Sequence, residues 1–245
     1  MIAVARHTVR MDTAYRLERL RADGERLLEV ASSDHSAEVP GCPDWTTADL
    51  LAHMGTVWRM LGLYVDRLPS GPIRDPGIPE APAGEAVVEY ARTGLSDLFA
   101  VLAGADPDSA VWTFGPDKSV SFFIRRAHLE TLLHRVDAER AVGSLTSVAE
   151  AEAGDAVDEL VSVFYRADGL PSGSLHLHQT DGDGEWMLDV VDGSTVIRRE
   201  HAKGDAALRG TGEELMLAMW GRRPVDGLEL FGDRSIVEEW ISLAP

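Results

Sequence analysis

The chain reads as an α+β protein in two parts. A four-helix bundle spans residues 1–145, and a smaller α+β domain with a mostly antiparallel sheet spans 146–245. Three observations lead there. Four segments of the first part carry apolar residues at three- and four-residue steps, the period of a half-buried helix. Loops dense in Pro, Gly and Asp separate them. After Gly143 the pattern changes to two-residue alternation broken by TDGDGE and DGS turns, with short helical runs after the strands.

In chain order, the first ten residues look loose, and Asp12–Ser32 gives a first amphipathic helix through Leu17, Leu20, Leu27 and Leu28. The second helix starts at a capping box. Thr46 accepts from a free N–H of the first turn, and Asp49 answers three residues on, at the positive end of the helix. Leu50, Met54, Val57, Leu61 and Val65 then form its expected buried stripe, to about Arg67. LPSGPIRDPGIPEAPAG has too much Pro and Gly for helix or central strand and reads either as a surface connector or as a functional loop that borders the site. Glu85–Ala103 is the third helix, and the fourth runs from about Ser119 to Val142. Beyond it come a helix in AEAEAGDAVDELVSVFY and strands in SLHLHQ, EWMLDVV, TVIRRE and DAALRG. A helix capped by Thr211 and Glu214, a last strand in LELFGD and a last helix in SIVEEWISLA complete the chain.

Composition excludes several functions. With 41 acidic and 23 basic residues the formal charge is −18, a field that opposes nucleic acid and anionic membrane surfaces. The single cysteine, Cys42, rules out an internal disulfide and suits a reducing compartment. No run approaches the ~20 apolar residues of a membrane span, and the first residues lack the apolar core of a secretion signal. A cytoplasmic protein is expected.

The residues that carry chemistry lie on helices two and four. His53 borders the apolar stripe, so its imidazole should run into or along the bundle. Glu130 and His134, four apart, share one helical face with Phe123 and Ala127, which turns that face inward. Two imidazoles and one carboxylate make an N/N/O set that leaves a coordination position open, as in catalytic zinc sites. Spacing alone leaves the bland alternative standing: a hydrogen-bonded core histidine and a solvated Glu/His pair.

Asp137 lies one turn beyond His134, where it would either orient a ligand imidazole or pair with an arginine. His128 faces away from Glu130. Arg126, nearer the Glu130 side, would meet an anionic substrate or form a surface ion pair. His176 and His178 share one strand face, with no third ligand evident in the sequence around them. Arg222 or Arg223 could reach across to an acidic substrate, and Cys42 reads as a small packed residue.

Two stretches resemble a known family. VPGCPDWTTADLLAHMG is similar to the first signature of the mycothiol-dependent maleylpyruvate isomerase family, within the DinB-like metalloenzyme superfamily. VWTFGPDKSVSFFIRRAHLETLLHRVDAERAVG is similar to its second, with three residues instead of four between Arg126 and Glu130; GEWMLDV and LMLAMWGRRP resemble its C-terminal domain more loosely. The resemblance implies a DinB-like four-helix bundle joined to a smaller α/β domain. It implies zinc, or another divalent metal, on His53, Glu130 and His134, and an active-site arginine matched to Arg222.

The implied activity is isomerisation or S-transfer with mycothiol as thiol cosubstrate, acting on a small carboxylate-bearing electrophile. A non-catalytic metal- or ligand-binding module and a metal-dependent hydrolase are the alternatives, because a shared fold does not carry a reaction with it.

Overall fold

Capping and packing set each helix of the first part. The computed structural model describes residues 11–165 and 171–245, so the expectation for the first ten residues lies outside the described residues. Helix α1 (Thr13–Ala31) opens at Asp12, whose carboxylate accepts from the Tyr15 N–H at 3.0 Å. Helix α2 (Thr47–Arg67) has the expected reciprocal box, with Asp49 accepting from the Thr46 N–H at 2.9 Å. It stops at Leu68, which takes a left-handed φ of 44°. Helices α3 (Ala86–Gly104) and α4 (Val120–Val142) follow, and Gly143 at φ 71° ends the latter.

Helix α1 packs on α3 and α4, and α2 packs on the same two, which makes a four-helix bundle. Leu20, Leu27, Leu50, Leu51, Met54, Trp58 and Phe123 are fully buried in its centre. The stripe on α2 differs from the expected one by a small rotation. Val57 is only half-buried, and Leu51 and Trp58 take the inward places. The buried Trp58 indole needs a partner and donates to Thr131 Oγ1 at 2.9 Å, beside Glu130 on α4. That bond fixes α2 against α4 close to His53. On the other side of α2, Gly55 lets α3 approach, since a Cβ there would lie 2.6 Å from the Tyr90 ring.

The C-terminal domain begins with α5 (Glu150–Glu159), which runs into a π-helical turn, Leu160–Phe164, that periodicity did not signal. Strands β1 (Leu175–Gln179), β2 (Glu185–Val191), β3 (Ser194–Arg198), β4 (Ala206–Gly210) and β5 (Glu229–Gly232) form one sheet in the order β3-β2-β1-β4-β5. Every pair is antiparallel except β1 with β4. Leu175, Leu177, Leu188 and Leu208 point from one face into a core shared with α5, α6 (Gly212–Met219) and α7 (Arg234–Ile241). Among the described residues, no helix is long and apolar enough to cross a membrane.

Candidate metal centre

The capping box holds the first turn of α2 in place, and His53 projects from the next turn toward α4. There the structure brings together the three residues expected from the sequence. His53 Nε2 lies 3.4 Å from Glu130 Oε1, and His134 Nε2 lies 3.5 Å from the same oxygen. The two rings meet edge to face with centroids 4.9 Å apart. The three ligating atoms all fall within 4.8 Å of one another. A tetrahedral ion with bonds of about 2.1 Å needs donors about 3.4 Å apart, so the spacing fits a cation such as zinc. Two imidazoles and one carboxylate also match its donor preference.

Two of the three donors are fixed from behind. Glu130 turns Oε1 toward the histidines, while Oε2 pairs with the Arg126 guanidinium, which also grips Glu159 of α5. Arg126 is therefore buried in a two-carboxylate pair. This corrects the expectation of a surface ion pair or a substrate contact. His134 Nδ1 is 3.0 Å from Asp137 Oδ2, so one carboxylate oxygen orients that ring. Asp137 in turn accepts from Arg222 Nη2 at 3.3 Å and Nε at 3.4 Å, and the Cys42 thiol lies 3.7 Å away. Asp137 thus does both things considered for it, orienting an imidazole and pairing with an arginine. Gly41 makes the approach possible, since a Cβ there would stand 2.6 Å from Asp137 Oδ1 and 2.9 Å from Arg222 Cγ.

The electrostatics separate the two imidazoles. Burial, together with the nearby cations of His134, Arg126 and Arg222, lowers the His53 pKa to about 4. That imidazole is neutral at pH 7, with a lone pair to give. Burial also opposes charge on His134, but its hydrogen bonds to Asp137 and Cys42 outweigh this and raise its pKa. Asp137 stays ionised against burial because His134 and Arg222 face it.

Arg222 does reach the site from beyond α6, but not in the expected pose. Its Nη1 donates to the Trp220 carbonyl at 2.7 Å, and Nε and Nη2 serve Asp137. The fork expected to hold a substrate carboxylate is engaged by a carboxylate of the protein. Arg223 instead donates to the Asp226 carbonyl. His128 faces away from the centre, as expected, with Nε2 3.1 Å from Glu152. The Pro-rich connector is pinned to α2 and α3 through Tyr64 and Tyr90 and borders a cavity of about 540 Å³ beside Trp58 and Arg59, not the three donors. Trp112 stacks on Tyr64 with centroids 5.5 Å apart.

Sequence reasoning missed Trp45 and Glu159. Trp45 lies over both imidazoles, 4.9 Å from the His53 centroid and 6.3 Å from that of His134, and so walls one side of the centre. Its place just before the Thr46 cap was the available signal. Glu159 had none.

A helical bundle in which two imidazoles and a carboxylate converge from facing helices, backed by an α+β domain that contributes an arginine, is the arrangement from which metal sites in bundles are built. The family model described as the mycothiol maleylpyruvate isomerase N-terminal domain matches residues 17–139, and the model for the C-terminal domain of the same family matches 138–238. The chain belongs to the mycothiol maleylpyruvate isomerase family. Its fold is similar to the crystal structure of the mycothiol-dependent maleylpyruvate isomerase, with TM-score 0.63 and 15% identity over 90% of this chain and 93% of that one. A histidine-to-alanine mutant of that isomerase gives TM-score 0.66 and 14% identity over the same shares. Among curated proteins, none matches the sequence.

Proposed function

We propose that the protein is a divalent-metal- and mycothiol-dependent isomerase or S-transferase, acting in the cytoplasm on a small electrophile that bears a carboxylate. The observation that carries this reading is the spacing of His53 Nε2, Glu130 Oε1 and His134 Nε2, in a member of this family. In this reading residues 1–145 are the metal-binding unit, and 146–245 close one side of it. A divalent ion on these donors supplies a Lewis-acidic seat at which a thiol ionises near neutral pH.

The chain's own residues prepare that seat. His53 presents a neutral nitrogen. Glu130 gives one oxygen and half-neutralises the charge, while Arg126 keeps its other oxygen turned away. Asp137 accepts the Nδ1 proton of His134 and leaves Nε2 to face the centre. Arg222 holds Asp137 and is assigned here as a positioning residue. Trp45 screens the donors from water on one side.

A mycothiol thiolate adds to one carbon of a conjugated double bond, and the electron pair moves onto the conjugated carbonyl. The resulting single bond rotates. Expulsion of the same thiolate restores the alkene in the other geometry, with no net oxidation or reduction. In an S-transferase, the α-carbon takes back the equivalent of the proton that the thiol gave up on ionising, and the thioether leaves.

The test is turnover of maleylpyruvate and related electrophiles by zinc-loaded protein, with and without mycothiol, beside His134→Ala. Turnover that needs both thiol and His134 supports the reading. Thiol-independent hydrolysis, or zinc binding with neither thiol binding nor turnover, contradicts it.

A further inference from the structure

A second convergence of donors lies on the sheet, away from the centre described above. Alternation along β1 sends Leu175 and Leu177 into the core and His176 and His178 to the opposite face. The antiparallel register places His178 beside Glu185, the first residue of β2. His201, from the connection between β3 and β4, folds over the same face. Its ring stands nearly perpendicular to that of His176, with centroids 4.9 Å apart. The sequence pattern offered the H-x-H pair with no third ligand in view; the fold supplies both a third and a fourth.

Glu185 is the hub. Its Oε2 lies 2.5 Å from His176 Nε2, and its Oε1 lies 2.5 Å from His178 Nδ1 and 3.1 Å from His201 Nδ1. Four ligating atoms, one from each residue, fall within 4.8 Å of one another. Among the described residues, the ion-pair partners of Glu185 are these three histidines, with no arginine or lysine. Buried carboxylates elsewhere in the chain take arginines, as Glu159 and Glu139 do. Three of the chain's eight histidines thus gather around one carboxylate on the sheet face opposite the leucine core, with His176 buried and His178 and Glu185 partly so. His176 and His201 also border a cavity of about 480 Å³, which gives an ion a way in.

We propose that His176, His178, His201 and Glu185 form a second, independent binding site for a divalent first-row transition-metal ion such as zinc. Three imidazoles and one carboxylate suit zinc, cobalt, nickel or copper, whereas calcium and magnesium demand oxygen-rich sets. Four donors complete a tetrahedron around zinc, so the site is a closed, structural one. An ion replaces the protons shared between Glu185 and the imidazoles and parts the donors by about 1 Å, to the spacing of a tetrahedron with bonds of about 2.1 Å. His201 is 75% exposed and sits on a connection, so it can make that adjustment.

The test is zinc stoichiometry by elemental analysis after equilibration of the full chain, with folding followed by circular dichroism. Wild type should hold two ions per chain. His53→Ala with His134→Ala should hold one, and His178→Ala with Glu185→Gln should also hold one. Combining all four substitutions should leave none. Should the His53/His134 variant fail to fold, the His178/Glu185 pair decides alone, since both side chains lie on the outer face. An ion count unchanged by His178→Ala with Glu185→Gln overturns the proposal. A single wild-type ion lost only with His178 and Glu185 supports this site and removes the centre on α2 and α4.

Discussion

Helix α4 carries two buried histidines six positions apart, each beside a carboxylate, and they have opposite surroundings. His128 Nε2 faces Glu152 at 3.1 Å, and its Nδ1 lies 3.4 Å from Arg16. Arg19 pairs with Glu152 and with Asp23, and Arg135 also pairs with Asp23. Both ring nitrogens have partners, and Glu152 and Asp23 each pair with an arginine, so this cluster staples α1, α4 and α5 together. His134 has one nitrogen held by Asp137. Its other faces a neutral imidazole and a single carboxylate oxygen. The group on α2 and α4 differs from this salt-bridged core in that its three donor atoms converge with no arginine between them, and a buried charge is either paired by the protein or must be paired by something else.

The largest way to break this contrast is to truncate each histidine. His134→Ala should weaken zinc binding by more than ~100-fold, beyond what the loss of an outer hydrogen-bond partner does. His128→Ala should leave zinc affinity unchanged and cost about 1–3 kcal/mol of stability by removing a buried hydrogen-bond partner of Glu152. Chelator-competition titrations and urea unfolding separate the two outcomes. Asp137→Asn comes next, with zinc affinity falling about 10–100-fold in the same titration while the fold stays intact. Thr46→Ala removes the cap that sets the first turn of α2 and should cost about 1 kcal/mol in urea, with only a slight effect on zinc.

The smallest effect is one of pH. Burial opposes the charge on Glu152, but hydrogen bonds and attraction from His128 and Arg19 outweigh it and hold its pKa below the ordinary glutamate value. A depressed folded-state pKa gives stability that is complete above the unfolded value, about 4.3, and is lost as pH falls through the folded one. Glu152→Gln should therefore show a shallower loss of stability below about pH 4.3 than wild type. An unchanged acid slope would mean that the cluster around His128 contributes no linkage of this kind.

What could be read in advance follows the range of the interactions. The α2 cap was legible because Thr46 and Asp49 are three residues apart, and the pairing of Glu130 with His134 because helical geometry alone puts residues four apart side by side. The five strands were legible from alternation and turn residues. Partners set by tertiary packing were not. Glu159 meets Arg126 across 33 residues of sequence, and Asp137 captures Arg222 across 85. His201 reaches Glu185 from a connection whose path no local pattern fixes. His53 was legible as inward-facing from the stripe on α2 and as a third donor beside the pair on α4, and the resemblance named the same three, although spacing within one helix has no access to a residue 77 positions away.

The most direct measurement is an anomalous-difference map at the zinc edge from crystals equilibrated with zinc. A peak is expected bounded by His53 Nε2, Glu130 Oε1 and His134 Nε2, and none between His128 and Glu152. Zinc-saturated crystals with no peak among His53, Glu130 and His134 would contradict the proposed metal centre.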